Sequence, residues 1–71
     1  MSFLGPYELG FEMIDDVRAI ASTEKAVLVL IEGEKFWIPF SVLGADSEVR
    51  VKGDEGTLHV ARWFAKREKI V

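Results

Sequence analysis

Residues 26–31, Ala-Val-Leu-Val-Leu-Ile, form an unbroken apolar run between Lys25 and Glu32. Six such residues are of strand length. Gly33 then offers a cheap positive φ before a second β-rich run at 35–38, so the two runs predict a hairpin. A two-residue turn and a one-residue bulge at Gly33 both satisfy the spacing. Pro39 ends the second strand, because it has no N–H for a ladder and holds Ile38 extended. The first run has no polar alternates, so both of its faces need cover: from a curled sheet, from a helix, or from another copy of the chain.

The flanking patterns are less clean. Across 11–23, Met13, Ile14, Val17, Ile20 and Ala21 keep helical spacing, whereas Val17, Ala19 and Ala21 also alternate; a strand over 16–22 is expected, with a short helix through Asp15-Asp16 as the alternative. Phe40 to Asp46 suggests one tight helical turn. Ser47 to Lys52 alternates, with Val49 and Val51 on one face and Glu48, Arg50 and Lys52 on the other. Gly-Asp-Glu-Gly at 53–56 reads as a turn, and Thr57 to Val60 as a strand. Residues 61–70 read as an amphipathic helix with Trp63, Phe64 and Ile70 inward and Arg62, Lys66 and Lys69 as an outer basic stripe. Residues 1–10 mix Gly5, Pro6 and Gly10 with Phe3, Leu4, Tyr7 and Leu9, which suits an arm that packs on its own domain or crosses to a partner. The expected fold is α+β, mostly β: a small bent antiparallel sheet or partly open barrel of four to five strands with a C-terminal helix. It occupies 11–71 as one domain.

Composition sharpens this picture. At 71 residues with 49% apolar content, the chain sits near the lower size limit for folding alone, and without cysteine it has neither disulfides nor thiolate metal sites to help. Self-association is the remaining common aid. No apolar stretch approaches the roughly 20 residues of a membrane span, and the start lacks a signal-peptide pattern, so a cytoplasmic protein with no membrane partner is expected. Net charge is −3, divided between an acidic body and a basic tail that holds Arg62, Lys66, Arg67 and Lys69 against Glu68 alone. That polarity favours a partner of opposite pattern, or self-association, over duplex DNA.

Thr23-x-Lys25-Ala26, Gly33, Trp37-Ile38-Pro39-x-Ser41, Gly53-Asp54-x-Gly56-x-Leu58 and Trp63-x-Ala65 together resemble a group of small bacteriophage and prophage proteins, mostly uncharacterised. The match covers about residues 17–69. Phe40 stands where members of that group often carry lysine, and Ala61-Arg62 where they often carry Pro-Glu. The resemblance implies a phage or prophage setting and no particular activity.

Candidate chemistry is sparse. His59 is the only histidine, and with Asp54 and Glu55 it falls short of the three or four ligands a zinc site needs. Ser41 or Ser47 with His59 is a set of residue types without an oxyanion hole, and Gly53 to Gly56 lacks the Lys-Ser/Thr of a phosphate loop. No enzyme and no cofactor is therefore expected. The aromatics are the better candidates. In a strand over 35–38, Phe36 and Ile38 share the core face, while Lys35 and Trp37 share the other. Trp37 then either packs against the terminal helix or forms a platform with Lys35, Arg50 and Lys52. Two functional readings follow. The first is a non-catalytic protein-binding module, a modulator of a host or defence protein or a self-associating unit, with Phe3 and Tyr7 of the arm as further contacts. The second is a single-stranded nucleic-acid accessory that stacks bases on Trp37 or Trp63 and touches phosphates through Arg62, Lys66 and Lys69.

Overall fold

The computed structural model describes residues 10–70. Its elements are β1 (Phe11–Ser22), β2 (Ala26–Ile31), β3 (Glu34–Pro39), a 3-10 turn (Phe40–Val42), β4 (Glu55–Ala61) and α1 (Arg62–Arg67). The strands form one antiparallel sheet in the order β3-β2-β1-β4.

The hairpin predicted from the apolar run is present, with Ile31 opposite Glu34 and Val27 opposite Ile38. Its turn is the two-residue kind: Glu32 and Gly33 both have positive φ, 49° and 86°. That primed geometry matches the natural strand twist. The β1–β2 connection is closed by a side chain. Thr23 Oγ1 accepts the N–H groups of Lys25 and Ala26 at 3.1 and 3.0 Å.

β1 is a strand, and longer than expected, because two bulges hide its alternation. Ile14 pairs with Leu58 and Val17 with Gly56, so three steps on β1 match two on β4. Asp16, in that bulge, has a φ of 60°. On the other side, Ala19 pairs with Val29 and Ala21 with Leu28, so Ile20 is the extra residue. Directly opposed residues share a sheet face, and Ala21 therefore lies on the opposite face from Ala19.

The stretch 47–52 is not a strand, and the expected shared face of Val49 and Val51 does not exist. Val49 is fully buried, whereas Val51 is 51% exposed. The cause is local. Asp54 Oδ2 accepts the N–H groups of Arg50 and Val51 at 2.9 and 3.0 Å, which removes both from any ladder. This tight loop docks on β1 through Gly53 N–H to the Ala19 carbonyl and Lys52 N–H to Ser22 Oγ. Upstream, 43–48 runs beside β4. Leu43 bridges Val60, Gly44 N–H donates to the His59 carbonyl, and Glu48 N–H donates to the Thr57 carbonyl. This flank covers the outer edge of β4 without becoming a fifth strand.

The two backbone N–H bonds hold the Asp54 carboxyl below its ordinary value of 3.8, the Arg50 bond contributing most. A carboxyl with a folded pKa below its unfolded one stabilises fully above the unfolded value, and the contribution vanishes as pH falls through the folded one. The stability gap between wild type and Asp54→Asn, measured by urea unfolding, should therefore be largest near neutrality and shrink below about pH 4. A gap independent of pH would mean that the charge of Asp54 contributes nothing.

The core lies on one face of the sheet. Val17, Ala19, Val27, Val29, Ile38, Leu58 and Val60 point into it, and Val42, Leu43, Val49, Phe64 and Ala65 cover them. α1 ends in a paired cap: Lys69 N–H donates to the Lys66 carbonyl and Ile70 N–H to the Ala65 carbonyl, with Lys69 left-handed at φ 61°. Glycine usually takes that position. The cap turns Ile70 back against the core. No helix among the described residues is long and apolar enough to cross a membrane.

Candidate protein-binding face

Pairing along the sheet sets out its outer face row by row. Ala21, Leu28 and Trp37 form one cross-strand row, Arg18, Leu30 and Lys35 the next, and Ala26 and Pro39 a third. Leu28 and Leu30 are only partly covered, and Trp37 is 51% exposed. The apolar run 26–31 thus gains full cover on the Val27–Val29–Ile31 side alone. α1 packs on β4 and β1 and places Phe64 and Ala65 on that same covered face, so it does not shield Leu28 and Leu30. Of the two places expected for Trp37, core against the helix or surface, the residue occupies the surface, on the row of Leu28.

The rest of the expected platform is not assembled. Lys35 shares the outer face with Trp37, but Arg50 and Lys52 belong to the loop that docks on β1, on the far side of β2 from β3. Arg50 is moreover committed inward, its Nη1 donating to the Gly44 carbonyl at 2.8 Å. The alternation of 47–52 suggested otherwise because it put Arg50 and Lys52 together on the outer side of a strand.

The basic stripe of the tail is also broken. Arg62 Nε lies 2.9 Å from Glu12 Oε2, and its Nη2 donates to the Phe11 carbonyl, so it clamps the start of β1 to the start of α1. Lys66 is exposed on α1, while Lys69 lies past the helix end. Trp63 does not face the body: it is 42% exposed, set edge-on to buried Phe64, with the Arg67 guanidinium 5.4 Å from each ring centre. Phe3 and Tyr7 lie outside the described residues.

Of the residues weighed for chemistry, Ser47 acts as a fastener. Ser47 is buried, and its Oγ donates to the Val49 carbonyl while accepting the His59 backbone N–H at 3.2 Å. Its hydroxyl ties the flank to β4 through backbone groups, with no bond to the imidazole. Among the described residues, no three His, Cys, Asp or Glu side chains gather as a metal site requires. A recess of about 260 Å³ opens at the hairpin end, with Ile14, Ile31, Phe36 and Ile70 as its apolar wall and Glu32, Glu34 and Lys69 at its rim.

Sequence reasoning missed Leu28 and Leu30 as surface residues, because a run without polar alternates looks buried on both sides. The signal that could have found them is that the chain offers a single helix, which can cover only one face of a sheet. Set against family models, curated proteins and solved structures, the chain matches none of them.

Proposed function

We propose that this chain is a non-catalytic protein-binding module that engages its partner through the outer face of β1, β2 and β3. The observation that carries the reading is Trp37, half exposed in the Ala21–Leu28–Trp37 row and next to Leu30 and Pro39. A contiguous apolar patch around an exposed tryptophan is the usual form of an interface centre, and tryptophan is among the residues that dominate binding energy. The salt bridge between Arg18 Nε and Glu55 Oε2, 2.9 Å long, neutralises charge beside the patch, and Lys35 supplies a polar rim. The resemblance to phage and prophage proteins makes a host or defence protein in the bacterial cytoplasm the partner of choice in this proposal.

The dispersal of Arg50, Lys52, Arg62 and Lys69 gives no continuous track for a nucleic-acid backbone, so the single-strand reading stands second. One pair of experiments decides. Recovery of a specific complex from bacterial lysate by the wild-type chain should fall about 30-fold with Trp37→Thr, the equivalent of about 2 kcal/mol at an interface centre, while circular dichroism stays unchanged. Equal recovery by both chains would remove the outer face as the binding surface. Tryptophan fluorescence quenched by oligonucleotides, with quenching that weakens steeply with salt, would instead favour the nucleic-acid reading.

A further inference from the structure

The two edges of the sheet are treated differently by the fold. Beyond β4, the chain's own flank at 43–48 satisfies the edge through Leu43, Gly44, Ser47 and Glu48. Beyond β3 no strand follows among the described residues. The hairpin geometry fixes which groups this leaves open. A two-residue turn of the primed type closes on a hydrogen-bonded pair, here Ile31 with Glu34, and such pairs then alternate along the ladder. The bond from Phe40 N–H to the Lys25 carbonyl at 2.8 Å keeps the same alternation at the far end. Glu34, Phe36 and Ile38 therefore turn their backbone groups toward β2. Lys35, Trp37 and Pro39 turn theirs outward, and the N–H groups of Lys35 and Trp37 have no partner among the described residues.

We infer that β3 pairs antiparallel with β3 of a second copy, about a two-fold axis through Phe36, to make one continuous eight-stranded sheet. Self-complementarity selects both the partner and the register. With Phe36 opposite Phe36, Lys35 faces Trp37 of the second copy, so each open N–H meets an open carbonyl, four bonds in all. Each lysine also lies across from an indole on the outer face, a favourable cation–aromatic neighbour. Gly33 falls opposite Pro39, so the donor that proline lacks is missed only at the turn. Glu34 falls opposite Ile38, and no like charges meet. A register centred on Lys35 would set the two ammonium groups against each other. Lys35 and Pro39 are residues that often keep an edge strand unpaired, yet in this register neither obstructs. On the inner face, the two Phe36 rings come together from the recesses they line, and each covers the other's open edge.

This pairing leaves the outer face exposed and doubles it, so it stands independently of the partner-binding proposal. The interface is at the small end of the size range, so the association should be concentration-dependent between roughly micromolar and millimolar. Over that range, sedimentation should show the mass rising from 8.0 kDa toward twice that value. Amide exchange on the unmodified chain gives the specific reading. Lys35 and Trp37 should exchange about tenfold more slowly at the high end than at the low end, while Phe36 and Ile38 stay protected at both. Trp37→Pro, which removes an outward N–H together with the indole, should abolish the mass increase, whereas Trp37→Thr, which removes the indole but keeps the N–H, should retain most of it. A mass of one chain throughout overturns the inference. So does a dimer in which the Lys35 and Trp37 amides keep their dilute exchange rates, because that dimer would form elsewhere.

Discussion

Leu58→Ala should remove a large share of the chain's folding stability. Leu58 is fully buried in the middle of β4, opposite Ile14 and in the same core as Val17, Val49 and Phe64. Truncating such a leucine costs about 3–4 kcal/mol in lost transfer energy and an unfilled cavity. A domain of this size has a total stability of only about 4–10 kcal/mol. Urea unfolding followed by circular dichroism should show a midpoint reduced by a third or more. Met13→Ala, also in the β1–β4 pairing but 68% exposed, should move it little. Equal midpoints for the two variants would mean that β4 does not seat in the core as described.

Gly56→Ala should be nearly as damaging, for a reason in the backbone. Gly56 has a φ of +143°, a region that L-residues rarely enter. Strain is only part of the cost. A Cβ there would run into the Glu48 carboxylate, and Glu48 Oε1 is the acceptor for Thr57 N–H at 2.8 Å. Glu48 moves aside by giving up that bond and leaving the N–H to solvent. Backbone strain and the lost bond together amount to about 2–4 kcal/mol. Gly33→Ala separates the two contributions: its φ of +86° is also unfavourable, but nothing lies within 4 Å of the new methyl. Thermal unfolding should therefore place Gly33→Ala well above Gly56→Ala. The reverse order would show that Glu48 does not hold the flank against β4.

The contrast between hairpin and bulged strand explains how much of this fold could be read in the sequence. The β2–β3 unit was legible because apolar run, glycine turn and Pro39 all act locally, within contacts only a few residues apart. β1 was ambiguous because its alternation breaks twice, at Asp15-Asp16 and at Ile20, and each break depends on which partner strand lies alongside. Ala21 illustrates this: simple alternation groups it with Val17 and Ala19, and the bulge puts it beside Leu28 instead. The 47–52 segment misled for a related reason. Its alternation is that of a strand, but the Asp54 carboxylate captured two of its N–H groups first. For the site, period two placed Lys35 and Trp37 on one face together but left open whether that face was covered. The scatter of the remaining cations was not, because it depends on the order β3-β2-β1-β4 and on Arg62 meeting Glu12, fifty residues away in the chain.

The two bulges also mark where this small sheet departs from a regular ladder. Each absorbs one additional residue while leaving the pairings on either side intact, so the twelve residues of β1 occupy a register that ten would fill. Deleting Ile20 and one of Asp15 or Asp16 would keep every flanking side chain on its present face and restore a regular ladder. Because bulges sharpen the local twist of a strand, the twist of this sheet depends on the length of β1 as well as on the identity of its side chains.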